Sequence, residues 1–491
     1  MKTRLLLSLF VAASASADVR LPALISDHMM LQRDMPVQIW GWADPSEPVT
    51  VSFDGQKASA VADTNGKWHV FLKPISRSEP ADLTVTGKNT VTVHDVLAGE
   101  VWVASGQSNM EFTMARVNNA EQEIAAANYP SIRFFLVKKA VADQPAEDVV
   151  GTWAVCSPET MKPYSAAAYF FAREIFRTQH TPVAVIDTYW GGTPAQSWTS
   201  MPALRSDPAL SFIQDDWQAT LARYPEARQK YEEALVKWQE TKSGPAPRPP
   251  AGPGHQNTPS GLYNAMIAPL TPYAIRGVIW YQGEANASQA HAYAYRRLFR
   301  TMIEDWRSAW GIGSFPFYFV QLANFTSNGW WPVLRESQTE TLELRNTAMV
   351  VTTDIGNPTD IHPTDKQDVG HRLALPARAL VYGEKIVYSG PMFREMAVEG
   401  SAARIWFDFV GGGLSTRGGA PLSGFEIAGP DGAFVPAEAR IDGETVVVSC
   451  ASVKQPAMVR YGWSDNPVTA NLVNREELPA SPFRNKPGPD R

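Results

Sequence analysis

Cysteine is nearly absent from this chain. Only Cys156 and Cys450 occur among 491 residues, so a disulfide scaffold is excluded and no Cys-x-x-Cys or Cys/His zinc spacing exists. One bridge between the two is allowed in an oxidising compartment. Histidine is scarce too, at eight residues. No clustered His/Asp ligand set is present, which argues against a metalloenzyme or a metal-dependent phosphodiesterase. Long runs of like charge are missing and the formal charge is −6. That speaks against nucleic acid or an anionic membrane surface as partner. Past the N-terminus, no apolar run is long enough to span a bilayer. The N-terminus itself reads as a secretory leader over residues 1–17. Lys2 and Arg4 form its basic start, Leu5 to Ala13 its short apolar core, and Ala15-Ser16-Ala17 a small-residue cleavage site. The mature chain is expected to start at Asp18 and to be exported, to the periplasm or outside the cell.

Tryptophan and tyrosine are plentiful, at 16 and 15 residues. They fit large β-rich cores, and a few could stack on sugar rings. The length exceeds one domain. Residues 18–97 read as short strands, with alternation in Val37–Trp42, Val49–Phe53 and Leu83–Thr86 and hairpin turns at Asp54-Gly55 and Asn65-Gly66. This predicts a small β-sandwich. From 98 to 383, strand-like runs (Val101–Ala104, Ile132–Val137, Val183–Asp187, Gly277–Trp280, Phe317–Gln321, Met349–Thr353) alternate with helical stretches, of which Ser165–Thr178 and Ala290–Trp310 are clearest. Alternation of this kind predicts an α/β domain with a mostly parallel sheet covered by helices. Residues 205–259 form an insertion, helix-favouring to 241 and then rich in proline and glycine over 244–254. The latter stretch is a surface connection or a wall over a site. From 384 to 491 strands and Gly-rich turns return, predicting a second β domain.

Chemistry concentrates after the strands of the middle region. Gly106-Gln107-Ser108-Asn109-Met110 follows the apolar run Val101–Ala104. Ser108 therefore leaves a buried strand at its carboxyl end, where open α/β sheets place ligands. It is a nucleophile if a base and an oxyanion hole are near; otherwise it caps a helix. Met110 replaces the second glycine of the Gly-x-Ser-x-Gly elbow. Asn109 can fix the turn through its short polar side chain. Asp360-Ile361-His362-Pro363 follows the last strand. His362 is either a base oriented by a carboxylate or a surface-loop histidine. Trp190-Gly191-Gly192-Thr193 offers backbone amides, and Gln282 in Trp280-Tyr281-Gln282-Gly283-Glu284 a side-chain amide. Taken together, the order places all of these groups on one edge of one sheet.

These four motifs, taken in chain order from Gly106 through Trp190 and Trp280 to Asp360, resemble the sialate O-acetylesterase family of SGNH hydrolases. The resemblance extends to Ser26-Asp27-His28-Met29-Met30-Leu31-Gln32-Arg33 and Trp40-Gly41-Trp42-Ala43 near the start. Near the end it includes Gly462-Trp463-Ser464-Asp465-Asn466-Pro467 and Leu478-Pro479-Ala480-Ser481-Pro482-Phe483-Arg484. It implies a three-layer α/β/α domain with β-sandwich-like domains on both sides, hydrolysing sugar acetyl esters without metal or cofactor. Ser108 would be the nucleophile and His362 the base. The amides of Ser108 and Gly192 and the side chain of Gln282 would hold the oxyanion. Many SGNH enzymes carry Asp three residues before the histidine. That position is Thr359 here, with Asp360 only two before, and Glu284 is the competing acid. Gln282 stands where typical SGNH enzymes have Asn. Gln107, Asn109, Trp190 and Trp331 are candidate substrate contacts, and Trp198 and Trp330 lie near the same loops; all four tryptophans could equally be core. The substrate is an O-acetylated sugar: sialic acid first, acetylated xylan or xyloglucan as the alternative. A non-catalytic carbohydrate-binding protein would need a lost catalytic group, and none is lost. Oligomeric state is not legible.

Overall fold

The computed structural model describes residues 18–77 and 79–485; the expected leader lies outside them. The central sheet has seven strands: β1 (Thr90–Gly106), β2 (Tyr129–Val137), β3 (Gly151–Cys156), β4 (Val183–Tyr189), β5 (Gly277–Tyr281), β6 (Phe317–Val320) and β7 (Thr347–Val350). Their order is β7-β6-β5-β1-β4-β2-β3, parallel throughout except for β2 with β3. β1 lies at the centre, with β4 on one side and β5 on the other. Its residues Val101, Trp102, Val103 and Ala104 are all fully buried, as a strand covered on both faces requires.

Six helices matter here: α1 (Ser108–Glu111), α2 (Ala166–Gln179), α3 (Phe212–Thr241), α4 (Tyr295–Trp310), α5 (Trp331–Glu340) and α6 (Lys366–Pro376). Helices α2 and α6 pack Phe171, Leu373 and Ala374 against the face carrying Trp102, Ile279 and Tyr318. The opposite face, with Val103, Trp280 and Phe317, is covered by Phe299, Met302 and Trp306 of α4. The apolar residues of α4 recur at 295, 298, 299, 302, 303, 306 and 310, all buried. That spacing is one helical stripe, and the helix stops at Gly311. The expected three-layer arrangement is therefore present. Helix α3 buries only Ile213 and carries exposed i,i+4 pairs such as Arg228–Glu232 at 2.7 Å. Residues 242–259 contain no helix or strand.

The N-terminal region is all strand, but it is not a detached module. Strand Ala81–Thr86 pairs antiparallel with the first half of β1, and Met30–Gln32 pairs parallel with Leu97–Gly99. The second half of β1 pairs with β4 and β5. One 17-residue strand thus serves both regions, and position 98 falls inside it. Glu100, buried at this junction, accepts from Arg276 Nε at 2.6 Å and pairs with Arg33 Nε at 3.1 Å.

The C-terminal region has two four-stranded sheets, built around Ala402–Asp408 and Phe425–Ala428, and its own core of Ile405, Phe407, Ile427, Val446 and Tyr461. It docks through buried polar contacts. The Arg335 guanidinium donates to the carbonyls of Leu322 and Ala323 after β6, and to those of Ser464 and Asp465. Burial pushes Arg335 down to about 9, with Asp465 opposing. Asp465 Oδ2 accepts from Ser327 N, Ser327 Oγ and Gly329 N at 2.8–3.2 Å. Cys156 and Cys450 are free thiols; the allowed bridge is not formed. Burial pushes the Cys156 thiol up to about 12.

Candidate active site

Gly106 ends β1 with φ +137°, and a Cβ there would stand 2.2 Å from the Tyr281 carbonyl oxygen. Only glycine lets β1 turn this close to β5. Gln107 N then bonds Tyr281 O at 3.0 Å, and Ser108 begins α1. The Ser108 hydroxyl does not cap that helix, whose N-cap is Gln107. It meets His362 Nε2 at 2.9 Å, across 254 positions of sequence.

His362 sits on the loop after β7. The Asp360 carboxylate accepts from His362 N at 2.9 Å and lies 3.4 Å from the ring Nδ1. Asp360 is more than half exposed (55 %), so this is a loose, wet contact. The His362 ring stacks on Phe112 at 6.3 Å. Burial lowers the pKa of His362; Asp360 opposes that, and Lys366 and Arg116 add to it. A base that is neutral at neutral pH is what proton abstraction needs.

Behind this pair lies a buried polar chain. Asn109 Nδ2 donates to Glu284 Oε1 at 2.6 Å and to the Ile361 carbonyl at 2.9 Å. Lys366 Nζ donates to Asn109 Oδ1 at 2.7 Å and lies over the rings of Phe112 and Tyr281 at 4.8 and 5.2 Å. Burial pushes Lys366 down to about 7, with Glu284 opposing. Burial raises Glu284, with Asn109 and Lys366 opposing. One asparagine thus ties the residue after the nucleophile to the residue before the base, with an acid at one end and an amine at the other. Glu284 turns to Asn109; the carboxylate at the His362 ring belongs to Asp360.

The Gly-Gly turn after β4 lies against the serine: a Cβ on Gly191 would sit 3.2 Å from Ser108 Cβ. Gly191 N is held by Glu111 Oε2 at 2.7 Å, and Gly191 O by Gln256 Nε2 at 2.9 Å. This fixes the turn, and the next residue, Gly192, is exposed. Lys139 pairs with Glu111 at 2.5 Å and lies 5.6 Å from the Trp190 ring centre.

Four expectations need correction. Gln282 is fully buried and its amide is spent: Nε2 donates to Thr193 O at 3.2 Å and Asn286 Oδ1 at 2.8 Å, and Oε1 accepts from Tyr295 at 2.9 Å. It ties the loop after β4 to the loop after β5 and has no donor left for an oxyanion. Asn109, 2 % exposed, spends its amide within the chain just described and cannot contact substrate through it. Gln107 is buried, with Oε1 accepting from Ala285 N at 3.2 Å, so it too braces a loop. Trp331 is buried, its indole donating to Ala323 O at 2.8 Å; Trp198 is likewise interior. Trp190 and Trp330 do reach the surface. The sequence reading missed Lys366 and Arg116. Lys366 opens α6, whereas His362 lies on the loop before it, so no helical spacing in the sequence linked the two. The Arg116 guanidinium lies over Phe112 at 4.4 Å, and nothing in its local sequence marks it.

A serine bonded to an imidazole whose pKa is lowered by burial has the nucleophile and base that acyl transfer needs. Among the described residues no group of three or more His, Cys, Asp or Glu is arranged to hold a metal ion. Nor is any described helix long and apolar enough to cross a membrane. The human sialate O-acetylesterase is 33 % identical over 431 residues, covering 79 % of this chain and 76 % of its own. The chain belongs to the sialate O-acetylesterase family. The mouse relative is 32 % identical over 78 % of this chain and 77 % of its own. A family profile described as carbohydrate esterase, sialic acid-specific acetylesterase, matches residues 251–378, which include Glu284 and His362. The crystal structure of a carbohydrate acetylesterase from Xanthomonas citri superimposes with a TM-score of 0.83 at 40 % identity, covering 95 % of this chain and 99 % of that one. Membership of this family makes the chain a carboxylic ester hydrolase, the class its motifs imply.

Proposed function

We propose that this enzyme removes O-acetyl groups from sialic acid through an acetyl-Ser108 intermediate. His362 Nε2 takes the Ser108 proton as Oγ attacks the acetyl carbonyl. The amides of Ser108 and Gly192 meet the oxyanion, each donor contributing up to about 3 kcal/mol in the transition state. Collapse breaks the bond to the sugar oxygen, which takes the proton from His362. Water then attacks the acyl-serine by the same route and releases acetate. Asp360 orients the imidazole, and the Glu284–Asn109–Lys366 chain holds the two turns in register. The observation that carries this reading is the 2.9 Å contact between Ser108 Oγ and His362 Nε2.

Sialic acid carries a carboxylate, and Arg116 supplies a cation for it. That residue is exposed, rests on Phe112 beside the base, and has no ion-pair partner among the described residues. The test is acetate release from O-acetylated sialic acid, acetylated xylan and acetylated xyloglucan by the wild type and Ser108→Ala. The variant should lose kcat by on the order of 10⁶ while keeping its fold; retained turnover in a folded variant removes Ser108 from the chemistry. Faster serine-dependent release from xylan or xyloglucan would transfer the substrate assignment to plant polysaccharide. Arg116→Ala should raise KM for O-acetylated sialic acid more than for acetylated xylose, and equal changes would sink the carboxylate role. We also propose export, from residues 1–17; N-terminal sequencing of the mature protein should read from Asp18.

A further inference from the structure

The segment 139–147 leaves the active site and runs exposed along the surface. At one end Lys139 contacts Glu111 and Trp190. At the other, Glu147 pairs with Lys67 of the N-terminal β region at 2.7 Å. Eight residue steps span at most about 28 Å. Two hollows flank the segment and share Pro145 in their walls. The first, of about 760 Å³, lies between the segment, α3 and α4, and its walls include Trp217, Tyr263, Asp143, Asp305, Asn264 and Ser260. Its wall also includes Thr258, two residues from the Gln256 that holds Gly191. The second, of about 410 Å³, lies against the N-terminal β region and presents Trp40, Trp42, Trp68, Gln38 and His69.

Ser260 and Trp68 are buried behind these walls, so the groups a ligand meets are the half-exposed Trp217 and Trp42 and the exposed Asp143 and His69. The wall chemistry selects its class. Half-exposed rings offer faces for C–H surfaces, while carboxylates and amides match hydroxyls that both donate and accept. Asp143 and Asp305 outnumber Arg205 in the first hollow and Lys67 is paired with Glu147 in the second, so neither wall favours an anion, and the number of polar groups disfavours a lipid.

We propose that segment 139–147 and its two hollows form a track for the neutral sugar rings linked to the acetylated residue. This rests on the acetylesterase reading and deepens it: the substrate is the end of a glycan chain rather than a free monosaccharide. The acetylated ring sits at Ser108, and the stem runs past Trp217 toward Trp42.

Two measurements separate the track from the chemistry. In the first, kcat/KM is compared for O-acetylated sialyllactose against free O-acetylated sialic acid, and for acetylated xylo-oligosaccharides against acetylated xylose. In one of these arms the longer substrate should be favoured, and Trp217→Ala and Trp42→Ala should each cut that preference about fivefold to tenfold, which corresponds to about 1.0–1.4 kcal/mol. The arm that responds identifies the glycan. In the second, calorimetry follows sialyllactose and xylo-oligosaccharides, both unacetylated, binding to Ser108→Ala protein. One of them should bind, and more weakly once Trp217→Ala is added. No length preference in either arm, or no binding of either glycan, overturns the track even if acetate is released. Binding without acetate release by the wild type would retain the track and defeat the esterase reading.

Discussion

At the scale of single residues, the His362 environment sets the pH response. The group must be neutral to act, and burial puts its pKa below the usual 6.5. The acid limb of kcat/KM should therefore fall below pH 6.5, with activity rising as pH climbs through that limb and holding at neutrality. Lys366→Met removes a positive charge that lowers His362, so the limb should move to higher pH. A limb that stays in place would show that the Lys366 charge does not reach the base. Asp360→Asn should cost far less than the roughly 10⁴ in kcat lost at a buried, well-aligned triad acid, because this carboxylate is exposed and its contact is long. A loss of full size, measured in steady state, would mean that the contact tightens when substrate is bound. Gln282→Ala tests whether this buried amide braces two loops rather than holding the oxyanion. It removes the bonds to Thr193 O and Asn286 Oδ1 and the acceptor of the Tyr295 hydroxyl, although Ala195 N still donates to Asn286 Oδ1; a buried group left unpaired costs about 1–3 kcal/mol. Thermal unfolding should register that loss. Unchanged stability with a sharply lower kcat would return Gln282 to the oxyanion hole.

Among the elements, strands were the more legible. β5, β6, residues 101–104 of β1 and residues 183–186 of β4 are apolar runs because both faces are covered, and that pattern shows in sequence. The positions of Ser108 and His362 followed from the strand ends. What side chains do after the strand ends was not legible. Gln107, Asn109 and Gln282 are polar residues in motif positions, yet burial turns each toward a neighbouring loop. Two loops pressed together leave amides and carbonyls that must be paired, and these side chains pair them. The C-terminal run Gly462–Pro467 acts in the same way, since Asp465 gathers the amides of Ser327 and Gly329. Thr326 N in turn donates to Pro358 O at 3.1 Å, two residues before Asp360. The distal β region therefore braces the base loop. Asp465→Ala should lower kcat severalfold with the global fold kept, and hydrogen exchange should quicken at residues 325–329. Unchanged exchange there would break the proposed link.

For the whole molecule, the N-terminal β region and the catalytic sheet share one continuous core, in which Leu97 and Val103 belong to the same cluster as Val51 and Trp280. Deleting residues 18–89 would strip the pairing partners from the first half of β1 and expose that core. The truncated chain should be insoluble; a soluble, active product would show that the sheet stands alone. The shared strand also orders events in time. Its first half can pair with residues 81–86 as soon as it is itself made, a short-range hairpin. Its second half, the one that ends at the nucleophile, must wait for residues 183–189 and then 277–281 to supply its neighbours. Until then a fully apolar strand has both edges open, the situation in which chains fold slowly and stick to one another. The strand that aims Ser108 is thus also where this chain most needs a holdase during synthesis.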